Sequence, residues 1–140
     1  MTFEELQSAV RDVLTADSWF SSLPVLVEAR GDVEQELQRA LNELGLSVVI
    51  STPQSRQSSD NAKRPLVEVT VLVSLAEMPM TNQTGKTATQ ALDRLIGLLH
   101  GHSFSTHGAT RLLYRDHRTE DVPGMNAHSV NFTTKIVHET

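Results

Sequence analysis

The string most suggestive of chemistry is Gly85-Lys86-Thr87, set between a β pattern and a helical one. A phosphate-binding loop occupies that kind of position, with its backbone N–H groups converging on phosphate. The full loop needs a further glycine five residues before the Gly-Lys pair, and Met80 stands there. Pro79 and Asn82 are poor members of such a run, and 140 residues leave little room for a nucleotide-hydrolase core. The reading that fits is a helix start capped by Thr84 or Thr87, with Gly85 relaxing the turn.

All six histidines lie between His100 and His138. His100 and His102 would face one way on extended backbone, and His107, His117 or His128 would then have to complete a metal site. No HExxH string or carboxylate at ligand spacing accompanies them. His100 ends a helical pattern, where a cationic side chain suits the dipole without any metal. Asp116, Glu120 and Asp121 stand near His117 in a turn-rich stretch with nothing to desolvate them. No GxSxG occurs, and Ser103 and Ser105 sit in a polar link. The sequence therefore predicts no enzyme, no cofactor and no metal site.

The elements around these residues are more legible. PLVEVTVLVSLAE puts Val67, Val69, Val71, Val73 and Leu75 on one strand face, opposite Glu68, Thr70, Leu72 and Ser74. ATQALDRLIGLLHG puts Ala91, Leu92, Leu95, Ile96 and Leu99 on one helical stripe. Laying that helix across the strand's sheet buries both apolar sides.

Earlier in the chain, Thr2 and Glu5 fit a capping box opening a helix over about residues 3–15. Trp19-Phe20 follow as a plug for one edge of the core. Pro24 to Glu28 reads as a strand and Val33 to Leu44 as a helix ended by Gly45, with Leu46 to Ser51 as the next strand. A unit this tight makes either a parallel crossover or strands on neighbouring edges. Residues 52–64, TPQSRQSSDNAKR, read as a polar mobile loop joining an antiparallel pair. After Gly101 a polar link leads to a short strand at Arg111 to Arg115. A loop turning at Pro123-Gly124 leads to a final strand from His128 to His138. The predicted fold is α+β: one domain over residues 1–140, with a mixed, mainly antiparallel sheet of about four to five strands and two to three helices packed on one side.

Composition sets outer bounds. A chain 39% hydrophobic and 21% charged is that of a globular protein with a real core. Its net charge of −5 argues against general affinity for nucleic-acid phosphates. Without cysteine, disulfides and thiolate metal sites drop out. Glu4, Glu5 and Asp12 stand where a signal peptide would carry positive charge, and no run approaches the ~20 apolar residues of a membrane span. Assembly in a cytoplasm and no membrane partner are the expectations.

In its order of elements the chain resembles the tail terminator and tail-completion proteins of long-tailed bacteriophages and prophages. The likeness lies in VLVEARGDVEQELQRALNELGLSVVI, in VEVTVLVSLAEMPMTNQTGKTA and in the helix closing with LLHG. A strand ending in Glu77, a connector holding Asn82 and Gly85-Lys86-Thr87, and the Leu99-His100-Gly101 turn are its marks. The resemblance implies a virion protein that assembles with itself into a ring, typically a hexamer, at the head-proximal end of the tail. Such a ring caps the tail tube protein and meets the head-tail connector protein, with DNA only passing through its lumen. A closed ring joins two different patches head to tail. The candidates here are Arg56, Lys63 and Arg64 in the polar loop, and Glu68, Thr70 and Leu72 on the second strand face. Two other classes remain open: a small adaptor or binding domain of a tail-like injection system, and a nucleotide- or metal-binding protein.

Overall fold

In the computed structural model, the described residues are 1–30, 33–59, 65–104 and 110–138. Helix α1 spans Phe3–Ala16, and strand β1 (Val25–Val27) runs into a 3-10 turn at Glu28–Arg30. Helix α2 is Val33–Glu43, β2 is Leu46–Ser59, and β3 is Leu66–Glu77. Helix α3 (Ala88–Leu99), β4 (Leu113–Glu120) and β5 (Asn126–Val137) complete the fold. The strands form one mixed sheet in the order β1-β2-β3-β5-β4, parallel only between β1 and β2. This is the expected α+β architecture, and the two alternatives for the first unit resolve as a parallel crossover through α2.

Helical and strand periods meet in the core. Leu6, Val10 and Leu14 of α1 and Ala91, Leu95 and Leu99 of α3 are fully buried. They cover Val48, Ile50, Val69, Val71, Val73, Phe132 and Ile136, also fully buried and all on one sheet face. Each large aliphatic side chain removed from water in this way contributes about 1.5–3 kcal/mol. Phe20 is buried in the same cluster with Trp19 edge-on at 4.8 Å, so the aromatic pair does plug the core. Gln7 is a polar brace inside it. Its amide donates to Thr52 Oγ1 at 2.8 Å and accepts from the Ala29 amide at 3.0 Å, tying α1 to β2 and the 3-10 turn.

The helix ends follow their side chains. Thr2 accepts from the Glu5 amide at 3.1 Å at the start of α1. Thr87, not Thr84, caps α3, and Gln90 returns the bond to complete a capping box. Gly45 ends α2 with φ +80°, and a Cβ there would lie 2.4 Å from Asn82 Cα. No helix among the described residues is long and apolar enough to cross a membrane.

Two expectations change. The polar stretch assigned to a loop at 52–64 is strand as far as Ser59, and residues 60–64 lie outside the described part. Pro53 is accommodated where the β2–β3 register shifts between Ser51 and Gln54, so the missing N–H costs no ladder bond. At the other edge, β4 extends to Glu120 and β5 begins at Asn126, leaving a short turn in place of the loop through residues 116–128. Asp116 to Glu120 carry no apolar alternation because β4 is a terminal strand exposed over most of its length. Arg111 bridges Ser103 just before it.

Candidate interaction surface

Helices α1 and α3 cover one face of the sheet, and register fixes what lies on the other. One row across the sheet holds Arg56, Glu68 and Lys135, and the next holds Gln54, Thr70, Thr133 and Leu113. A third row holds Ser51, Leu72, Asn131 and Asp116, and a fourth holds Val49, Ser74, Ser129 and Arg118. The sequence-predicted residues Arg56, Glu68, Thr70 and Leu72 therefore do share one face. Lys63 and Arg64 lie outside the described residues.

Within that face Arg56 Nη2 meets Glu68 Oε1 at 3.1 Å. The arginine side chain is 74% exposed, so water screens the pair and its contribution to stability is small. Shallow depressions of about 250 and 260 Å3 flank Glu68, one towards Gln54 and Ser55, the other towards Arg111, Arg115 and Lys135. The sequence reading missed those last three residues as part of the surface. For Lys135 the β5 alternation pointed to the polar side. The sequence predicts a short strand at Arg111 to Arg115, but nothing in the string announces the register shift after Tyr114 that lets Arg115 bond Thr133. Asn131 donates to Asp116 at 2.8 Å, Ser129 to Glu120 at 2.9 Å, and Arg115 Nε to Thr133 Oγ1 at 2.7 Å. The side chains of Arg111, Arg118 and Lys135 make no hydrogen bond or ion pair among the described residues.

The connector with the phosphate-loop string is organised differently. Glu77 is only 5% exposed at the end of β3. Its carboxylate accepts from Asn82 Nδ2 at 2.7 Å and from the Ala88 amide at 3.0 Å. The protein's own anion thus holds the N-terminus of α3, where a loop of this kind would hold phosphate. Asn82 also donates to the Lys86 carbonyl at 2.6 Å and accepts from the Thr84 amide at 2.9 Å. The Lys86 ammonium donates to the Trp19 carbonyl and to Ser22 Oγ, and sits 5.0 Å from the Trp19 ring centre. It clamps the α1–β1 link to the start of α3. Beside it, Arg94 Nη2 meets Asp17 Oδ1 at 2.7 Å, and that hydrogen bond holds the Asp17 carboxyl below its usual range.

The histidines are dispersed. His100 Nδ1 accepts from the Tyr114 amide at 3.0 Å, and His102 stacks edge-on against Phe104. His138 lies against Phe3, while His117 and His128 approach to 6.3 Å between ring centres. His107 lies outside the described residues. Among the described residues no three His, Asp or Glu side chains converge as a metal site.

No protein-family model matches the sequence, and no curated protein matches it. The structure is similar to a chain from the virion of a native gene transfer agent particle. The two superpose with a TM-score of 0.68 at 16% identity, over 94% of this chain and 93% of the other. At that identity the two chains share a fold, from end to end.

Proposed function

We propose that the chain is a structural subunit of a phage-like particle and acts as its tail terminator. Copies close into a ring of about six at the head-proximal end of the tail tube. The ring halts growth of the tube protein and offers the head connector a docking surface, while DNA passes through its lumen. The observation that carries this reading is the full-length fold match to a chain of a gene transfer agent virion. A second support is chemical. Glu77 and Lys86, the groups placed for ligand chemistry, are spent on internal contacts, and the polar sheet face is left for assembly. Arg56, Glu68, Thr70 and Leu72, with Lys63 and Arg64, belong to the contacting surface. A net charge of −5 suits a lumen through which duplex slides without sticking.

The test is to polymerise tail tube protein with and without the purified chain and image the products by negative stain. Tubes that end at a ring and stop lengthening are expected. Tubes of unchanged length with bare ends would overturn the reading.

A further inference from the structure

The sheet's two flanks carry complementary charge: α2 is net acidic, and β4, itself balanced, becomes net basic with the neighbouring Arg111 and Lys135. At one flank α2 packs against β1 and β2. Its outward residues include Glu36, Arg39 and Glu43, all exposed and none with a side-chain hydrogen bond or ion pair among the described residues. Val33 and Leu37 on the same helix are only half-buried, so its cover is incomplete. At the opposite flank β4 is the terminal strand, with Arg115, Asp116 and Arg118 exposed along it. Arg118 and Asp116 sit on the open sheet face by register, and Arg115 is drawn to that face by its bond to Thr133.

The two strings are complementary in order: acid, base, acid from Glu36 to Glu43 on the helix, and base, acid, base from Arg115 to Arg118 on the strand, beyond which Glu120 is held by Ser129. Their lengths agree too. Seven helical residues from Glu36 to Glu43 span about 10.5 Å. The three strand steps from Arg115 to Arg118 span about 10 Å. The side chains of Arg111 and Lys135 strengthen the positive field around the strand, with no ion pair of their own among the described residues.

We propose that β4 of one subunit docks against α2 of a second copy, Arg115 and Arg118 meeting Glu36 and Glu43 while Asp116 meets Arg39. The contact rests on the ring reading and supplies its joint. Because the patches lie on opposite flanks, the joint is heterologous: each copy offers β4 to one neighbour and α2 to the other, the arrangement that closes a ring. Desolvated charge pairs with the wrong sign are strongly disfavoured, so the pattern also fixes which flank meets which.

Two charge-reversal variants test it. The first carries Arg115→Glu and Arg118→Glu, the second Glu36→Arg and Glu43→Arg. All four positions are exposed, and circular dichroism melts check that each variant folds. Sedimentation is expected to show self-association weakened about tenfold or more in each variant alone. An equimolar mixture should recover the wild-type assembly, because every joint in an alternating ring is then matched. Variants that assemble like wild type overturn the α2–β4 joint and leave the ring reading standing. So does a mixture that stays dissociated. Variants that assemble normally but lose retention on duplex DNA would make the arginines a phosphate contact, which also overturns the joint. If wild type stays monomeric at every concentration, the joint fails, and the tube-capping experiment judges the ring separately.

Discussion

The two ends of strand β3 use polar residues in opposite ways. At its C-terminal end, Glu77, Asn82, Thr84, Lys86 and the α3 N-terminus satisfy one another, and Gly45 lets the chains approach closely enough to do so. Near its N-terminal end, Glu68 and Thr70 lie in rows with Arg56, Lys135 and Thr133 on an open face, and much of that charge is turned to water. The end with the more motif-like sequence is therefore the structural one. A string gains functional weight when its polar groups are left unsatisfied by the fold, and Gly85-Lys86-Thr87 is not such a string.

Substitutions should separate the two ends sharply. Gly45→Ala carries the largest expected effect. A left-handed backbone and a Cβ 2.4 Å from Asn82 Cα combine strain with overlap, which should lower unfolding stability by about 3 kcal/mol or more in urea titrations. Glu77→Ala comes next: it strands the buried Ala88 amide and the half-buried Asn82 amide, and should cost about 2–3 kcal/mol by the same measurement. Lys86→Met should cost about 1 kcal/mol through its lost hydrogen bonds and ring contact. Adding Mg-ATP should leave the melting temperature of the wild-type protein where it was; a rise would reopen nucleotide binding.

A smaller effect depends on pH. The Arg94 bond depresses the folded Asp17 carboxyl below its unfolded value, so its stabilisation is present above the ordinary aspartate range and is lost as pH falls through the folded value. Asp17→Asn should lower stability near neutrality slightly and flatten the acid limb of a stability-against-pH curve. The open face should respond least. Arg118→Ala and Lys135→Ala are each expected to shift unfolding stability by less than about 0.5 kcal/mol. A larger loss at either position would mean that this end, too, is structural.

How far the sequence carried the fold followed from cover. β3 and α3 each bury one side and wet the other, so their periods showed, and both elements lie where the alternation and the helical stripe placed them. β4 and the far half of β2 bury little, so nothing obliged their residues to alternate, and DHRTE and TPQSRQSS read as loop. The candidate surface suffered from the same blindness. Glu68, Thr70 and Leu72 were found because their strand was found, while Arg115 and Arg118 waited on register across β5. Which flanks oppose each other is a property of strand order, invisible to any local pattern.

The outer half of β2 has one more consequence. β1 pairs with β2 only at Val48, Val49 and Ile50, so from Thr52 onward no strand is paired to the outer side of β2 among the described residues. An open edge of this length is a template on which unfolded chains and stray peptides can zip into fibrils. Here the edge reads Thr-Pro-Gln-Ser-Arg-Gln-Ser, without one large aliphatic or aromatic side chain and with a proline that cannot donate. Its bland composition makes the edge a poor seed for amyloid, so the folded chain can stand at high concentration without clumping through it.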